Sequence, residues 1–406
     1  MNFDVFFSIC QTEVDGVIPN ERTMFLNFFD QLKLADQLGM GTAWIAETHL
    51  SCQVQKENPG AVIPHFKGEI GLNTDVLQMA HKIFAMTKKI SVGSAIRNIL
   101  CNGGPIAHAE AVKTFLSLHS LAENENRKLE LGFAAGRFPF SNTPYGIRPR
   151  NEVERLAWPA LKGQVFLEAC EIFLRFLKGE VFSSAEVKQK ALSRGHFRSD
   201  ADWEKVRAAH ARATGINKDF IEFDPHWVFD RLGVIPFEAE LRNLNLTLGS
   251  HDEEAQILVN QFLPVGVFNL SITPSHEIEQ THERMKKHFN PAGGAWTRNR
   301  MPRTVLVFLN NDKNLSDSEK NQRAAGAARR AIENYWKAIE GTLQEERVAN
   351  ATNNALLGHP KEVIAQIRER FHPDDRLMLW FDFNNHNNED VKQSMKWFME
   401  DVAPYV

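Results

Sequence analysis

Cysteine is scarce in this chain. The four cysteines in 406 residues, Cys10, Cys52, Cys101 and Cys170, lie far apart and form no CxxC pair. That argues against a disulfide framework and a thiolate zinc site, and for reduced thiols in a cytoplasm. Long apolar runs are lacking too: none approaches the roughly 20 residues of a membrane-spanning helix. The start, Met1-Asn2-Phe3-Asp4, lacks the basic segment of a signal peptide. Excess charge of either sign is missing, and a net charge of −4 gives no electrostatic reason for a nucleic-acid partner. Several catalytic signatures are missing as well. There is no HExxH, no HxH at the end of Phe3–Ser8, and His276, His282 and His288 are six apart, so they cannot share one helix face. No GxSxG nucleophile turn, no GxxxxGK[ST] phosphate loop and no GxGxxG after the first apolar run occurs. A zinc protease, an α/β-hydrolase, a P-loop NTPase and a dinucleotide-binding sheet are thereby disfavoured.

What is present is a rhythm. Apolar runs at Phe3–Ser8, Thr42–Glu47, Ile90–Ile96, Leu129–Gly136, Leu244–Gly249, Val265–Ser271, Arg303–Leu309 and Leu377–Phe383 read as buried parallel strands. Helical patterns alternate with them: Glu21 to Gly39, a helix capped by Asn73-Thr74-Asp75, one opened by Pro105, Glu152 to Leu177, one from Asp252, one from Pro274, residues 316–346, one from His359-Pro360, and Glu389 to Val402. Eight strands alternating with helices predict an α/β fold, a (β/α)8 TIM barrel forming one domain over 1–406, with an open doubly wound sheet as the competitor. Two stretches break the rhythm. Residues 51–72 form a long polar loop, and 179–240 form an insertion between strands 4 and 5, read either as a lid or as a solvated decoration.

The chemistry gathers at Gly41–Leu50, where an apolar run ends in Glu47, Thr48 and His49. Polar groups at the carboxyl end of a barrel strand sit where such folds keep their active sites. On an extended strand Glu47 and His49 face one side and Thr48 the other. Only Glu47 and His49 can then do acid–base work near neutral pH. Small residues end two further strands, Gly93-Ser94-Ala95 and Gly132-Phe133-Ala134-Ala135-Gly136. They admit a flat ligand against the backbone or, equally, tight packing. Gly249-Ser250-His251-Asp252 leads into a helix whose N–H groups suit a phosphate, although Asp252, Glu253 and Glu254 oppose one. Arg137 supplies positive charge after the fourth strand.

Together these segments resemble the bacterial luciferase-like flavin monooxygenases. Gly41–Leu50 is similar to that family's second strand. Val92–Ala95 with Pro105-Ile106-Ala107-His108-Ala109-Glu110 is similar to the third strand and its helix. Leu131–Arg137 with Tyr145-Gly146 and Glu154 resembles the fourth, Leu248-Gly249-Ser250 the fifth strand's phosphate turn, Gly358–Val363 the Gly-x-Pro-Glu-x-Val segment, and Leu377–Phe383 through Pro404 the ending. The resemblance implies a TIM barrel that binds reduced FMN, delivered by a separate flavin reductase, and uses O2 to oxidise a small-molecule substrate, as a homo- or heterodimer. It implies Glu47, Thr48 and His49 lining the site, Ser94, Ala95, Ala134 and Ala135 under the flavin, and Arg137 and Ser250 at its phosphate. The luciferases carry Glu-His-His where this chain has Glu47-Thr48-His49, so their catalytic imidazole aligns with Thr48. The family's phosphate arginine aligns with Ala135. A partner subunit without catalysis and a deazaflavin-dependent oxidoreductase therefore stand beside the first reading.

Overall fold

The computed structural model describes residues 1–58, 67–136, 138–339 and 353–406. In chain order its elements are β1 (Asn2–Phe7), α1 (Glu21–Leu38), β2 (Thr42–Ile45), α2 (Val76–Met86), β3 (Ser91–Asn98), α3 (Gly104–His119), β4 (Leu129–Ala134), α4 (Pro139–Asn142) and α5 (Glu152–Leu177). There follow β5 (Lys190–Ser193), α6 (Asp200–Thr214), β6 (Phe220–Phe223), β7 (Leu244–Leu248), α7 (Glu253–Phe262), β8 (Val265–Val267), α8 (Ser275–His288), β9 (Arg303–Leu309) and α9 (Asp317–Ile339). The chain ends with β10 (Leu356–Gly358), the helix Pro360–Arg370, β11 (Arg376–Trp380) and the helix Asn388–Asp401. Among the described residues no helix is long and apolar enough to cross a membrane.

Nine strands form one curled parallel sheet in the order β10-β9-β11-β1-β2-β3-β4-β7-β8. A single parallel bridge, Asn269 with Arg303, also links the chain just beyond β8 to the start of β9. There the Asn269 N–H donates to Pro302 O at 2.9 Å and the Thr304 N–H to Asn269 O at 3.0 Å. All eight expected strands are present, each starting within one residue of its expected start. Most end early, because the polar residues after each apolar run leave the ladder. Two features were not expected. β10 is only three residues long, too short to carry a period. Within 179–240, β5 and β6 pair antiparallel, apart from the main sheet. Each is four residues, with the alternating burial of a half-covered strand.

Helix ends follow local chemistry. Asn20 accepts from the Thr23 N–H to start α1, and Gly39, in the left-handed conformation at φ 77°, ends it. Asp75 caps α2 by accepting from the Leu77 N–H, as its sequence suggests. The buried faces of these helices, Met24, Phe28, Leu32 and Ala35 on α1 and Val76, Ala80 and Ile83 on α2, pack on the outer side of the sheet with Ala43, Ile45, Val92 and Leu131.

Residues of the other parity face inward and stack in layers. Phe6, Trp44, Phe268 and Met378 form a separate inner cluster, with Ala46, Ala95, Ile96 and Trp380 against it. Below this cluster lies a buried polar layer. The Arg376 guanidinium donates to Asp4 Oδ2 (2.6 Å), Thr42 Oγ1 (2.8 Å) and Glu130 Oε1 (3.2 Å). The Trp44 indole N–H donates to Asp4 Oδ2 at 2.7 Å, and Asn245 Nδ2 donates to Glu130 Oε1 at 3.0 Å. Burial pushes the Asp4 carboxyl pKa up, and Arg376 and Trp44 offset only part of that rise. Burial works against the charge of Arg376, and Asp4 and Glu130 outweigh it. Removing the shared cation strands two buried carboxylates. Arg376→Met is therefore expected to lower the unfolding free energy by about 3–5 kcal/mol. Denaturant unfolding checks this, and an unchanged midpoint contradicts it.

Candidate functional site

Strand alternation sorts the residues at the carboxyl ends into two groups. Trp44 and Ala46 point inward, so Glu47 points outward, toward α2 and α3. There Glu47 Oε1 accepts from His49 Nε2 at 3.1 Å and from Arg97 Nη1 at 3.3 Å, while Oε2 accepts from the Val76 N–H at 3.2 Å and Ser94 Oγ at 3.5 Å. The Glu47 side chain has no exposed surface, Arg97 keeps 2% and His49 7%. The expected meeting of Glu47 and His49 is observed. However, the pair is sealed beneath the helices rather than open to a ligand, and its carboxylate is already matched by Arg97. Ser94 is likewise turned away and fully buried. In this geometry the group positions the β2 and β3 ends. Thr48, half-buried, shares a hydrogen bond with Ser51 Oγ (3.0 Å) and donates to Gly71 O (3.3 Å).

Arg97 carries the network further. Its Nε donates to His108 Nδ1 at 2.9 Å, and the opposite His108 nitrogen, Nε2, donates to Cys101 O at 3.0 Å. This assigns a neutral imidazole with its proton on Nε2. Burial, then the Arg97 charge, pushes the His108 pKa down to about 3.

The small residues divide between packing and openness. A Cβ on Gly93 would meet Trp44 at 2.6 Å, and one on Gly132 would strike the Ser94 carbonyl. Both glycines therefore serve strand-to-strand packing. Ala95, Ala134, Ala135, Gly249 and Ser250 are half-buried at the strand ends. The β3 register shifts between Ser94 and Arg97, and the consecutive residues Ala95 and Ile96 both join the inner cluster. At Gly249 a Cβ would meet Ile96 Cδ1 at 2.5 Å and Ala134 Cβ at 3.1 Å. Backbone and small side chains thus form a shallow floor above the inner aromatic cluster.

The phosphate reading of Ser250 meets a competitor. Asp252 already caps α7, accepting from the Ala255 N–H at 2.8 Å, with Glu253 and Glu254 in the first turn. These carboxylates occupy the position an anion needs. Ser250 Oγ is engaged by the Asp252 N–H at 3.1 Å. Arg137 lies outside the described residues.

On the far side of the floor stands a group the sequence reading passed over. Met378 and Trp380 point inward, and Asp382 continues that parity past the end of β11. Asp382 Oδ2 accepts from the Ser8 N–H at 3.2 Å and the Ser8 hydroxyl at 3.1 Å. Its other oxygen, Oδ1, and the Trp380 indole nitrogen are both buried without a hydrogen-bond partner. Burial, only partly offset by Ser8, pushes the Asp382 pKa up to about 6. The signal available was an acid inside the aromatic run Trp380-Phe381-Asp382-Phe383. Arg97, a lone charge in an apolar strand, was the other.

No protein-family model matches the chain, nor does any curated protein. Solved structures do share its fold. The monooxygenase RslO1 from Streptomyces bottropensis superposes with a TM-score of 0.66 at 16% identity, covering 100% of this chain and 99% of that one. The oxygenating constituent of 3,6-diketocamphane monooxygenase from Pseudomonas putida, a type II Baeyer–Villiger enzyme in complex with FMN, gives 0.57 at 14% identity, with 100% and 99% covered. An F420-dependent secondary alcohol dehydrogenase gives 0.53 at 13%, with 100% and 99% covered.

The neutral His108 has a consequence for acid stability. Its folded pKa of about 3 lies below its ordinary value of 6.5. Its contribution is therefore fully present above 6.5 and lost as pH falls toward 3. Each pH unit within that window is expected to remove up to about 1.4 kcal/mol. The His108 ring should show no titration by NMR between about pH 5 and pH 8, whereas an ordinary midpoint contradicts the assignment.

Proposed function

We propose that this chain is a luciferase-like flavin-dependent oxidoreductase, built as a closed (β/α)8 barrel with 179–240 as an insertion, and that it works as an FMN-dependent monooxygenase. The observation that carries the reading is the floor of Ala95, Ala134, Ala135 and Gly249. It is a surface of backbone and methyl groups where a side chain at Gly249 would not fit. It lies at the carboxyl ends of parallel strands, where α/β barrels bind their ligands. A flat isoalloxazine suits such a surface. Neighbours in fold that carry FMN or F420 support a flavin-type ligand in this architecture.

Bound there, reduced FMN supplies the electrons with which O2 oxidises an organic substrate. The chain's own residues supply the surroundings. Ala95, Ile96 and Ala134 bear the ring system, and Trp380 and Phe6, with ring centroids 4.5 Å apart, keep the space beneath it dry. Thr48 offers a hydroxyl where the luciferases have an imidazole. Glu47, Arg97 and His49 hold the β2 and β3 ends in place rather than exchanging protons with a ligand. Residues 67–72 run beside the end of β1, with the Leu72 N–H on Ile9 O at 2.9 Å and the Gln11 N–H on Glu69 O at 2.9 Å. A separate reductase delivers the reduced flavin, and the chain pairs as a homo- or heterodimer.

The same observation defines the test. Ala134→Trp fills the floor with an indole and is expected to weaken FMN binding by about tenfold or more, with the unfolding midpoint kept. Flavin fluorescence titration measures this, alongside O2 consumption by the wild type with excess reduced FMN. FMN binding without O2 consumption favours the partner-subunit reading, which the lack of an open imidazole at Thr48 supports. Binding of F420 in place of FMN moves the assignment to the deazaflavin enzymes. Binding of neither contradicts the proposal.

A further inference from the structure

Among the described residues, the one buried carboxyl oxygen left without a hydrogen-bond partner belongs to Asp382, at the mouth of the curled sheet. Asp382 stands on the inward column of β11, above Arg376, Met378 and Trp380. Ser8 stands on the matching column of β1, above Asp4 and Phe6. β1 and β11 are paired in register, Phe6 with Trp380, so the Ser8 and Asp382 side chains meet one layer above that pair. The polar layer at the other end of this column is complete, with Arg376 holding both Asp4 and Glu130. The upper layer is not. Ser8 satisfies only Oδ2 of Asp382, by two hydrogen bonds. Oδ1 and the Trp380 N–H stay buried with no partner in the protein. A buried donor and a buried acceptor left open together are costly, unless something else completes them.

We propose that Asp382, positioned by Ser8, is the proton-carrying group of the site and that it hydrogen-bonds, together with the Trp380 N–H, to an acceptor oxygen of the organic molecule bound over the floor. In the protonated state Oδ1–H and the Trp380 N–H are two donors converging on one oxygen. Passing the proton from Oδ1 to that oxygen leaves a carboxylate that still accepts from the Ser8 N–H and hydroxyl. A proton from solvent restores the acid when the ligand leaves. No oxidant or further reactant enters this step.

The electrostatics agree with the geometry. Burial raises the Asp382 pKa to about 6, while the Ser8 donors and the Trp380 N–H beside the carboxyl lower it. The group therefore holds its proton below that pH and is charged above it. The titratable groups around it do not compete. The Cys10 thiol, from the end of β1, is pushed up by burial and by Asp382 itself. His386 Nε2 is tied to the Thr12 carbonyl at 2.7 Å. From α9, Tyr335 packs its ring on Phe383. Trp380 packs on that same ring, which screens the carboxyl from the helix. Among the described residues no lysine or arginine forms an ion pair with Asp382.

This inference rests on the flavin reading only for the identity of the ligand. Its test is chemical labelling of the full-length protein with dicyclohexylcarbodiimide, a reagent for protonated carboxyls in apolar surroundings, followed by peptide mass mapping. Asp382 is expected to label below its midpoint of about 6 and to lose roughly tenfold or more of that labelling two pH units above it. Ser8→Ala, which removes a hydrogen bond to the charged form, is expected to move the midpoint upward. Saturation with FMN, verified by its absorbance, is expected to protect Asp382. Absence of label at Asp382 in acid, a midpoint in the ordinary carboxyl range, or full labelling beneath bound FMN overturns the proposal. Failure of FMN to bind overturns the flavin reading instead, and the labelling curve without flavin still decides the assignment of the proton.

Discussion

Arg376 is the cation on which the inside of this sheet depends. It sits near the start of β11 and holds Asp4 of β1 and Glu130 of β4. Through Asp4 it fixes the Trp44 indole of β2, and through Glu130 it reaches Asn245 of β7. One guanidinium therefore joins five strands that are remote in sequence. A buried charge of this kind is weak evidence for stability, because its desolvation offsets most of its attraction. Its value lies in register. A one-residue slip of any of these strands would turn its carboxylate or indole to the helix side, and the remaining charges would be stranded.

That register sets the chemistry at the opposite end. Above the polar layer, Phe6, Trp44, Phe268 and Met378 make a dry aromatic layer. Above that come Ala46, Ala95, Ile96 and Trp380, and then the half-open residues of the floor. The same alternation sends Glu47 and Ser94 outward, and the register shift in β3 turns Arg97 to that side as well. There the Glu47–Arg97–His108 chain locks the ends of β2 and β3 to the starts of α2 and the body of α3. These two buried charge networks have different tasks. One fixes the strands from within, and the other anchors helices to strand ends. Between them, the inward-facing residues of the mouth are small, aromatic or, at Ser8 and Asp382, polar and incomplete.

Much of this was legible in the residues. Eight of the nine strands of the parallel sheet announced themselves as short apolar runs, and Asn73-Thr74-Asp75 and Pro105 marked helix starts where they occur. β10, β5 and β6 escaped because each is only three or four residues and, unlike β2 and β8, is not part of a longer apolar run. The site was half legible. Spacing rightly brought Glu47 and His49 to one side, yet it could not say which side. That depends on Trp44 facing inward, a fact set by its bond to Asp4 from another strand. Gly93 and Gly132 suited a ligand or tight packing equally, and it is packing they serve, against the Trp44 ring and the Ser94 backbone. Asp382 and Arg97 were visible as lone charges in apolar runs. Their partners, Ser8 and Glu47, are 374 and 50 residues away, so only the fold connects them.

The account stands or falls on what occupies the floor at the strand ends. A crystal structure of the protein soaked with oxidised FMN tests it most directly. The account predicts the isoalloxazine lying on Ala95, Ala134 and Gly249, between Thr48 on one side and the Ser8–Asp382 pair on the other, with Glu47 and Arg97 still paired beneath the helices. Flavin density elsewhere on the molecule, or a floor filled by side chains once the crystal is soaked, would contradict it.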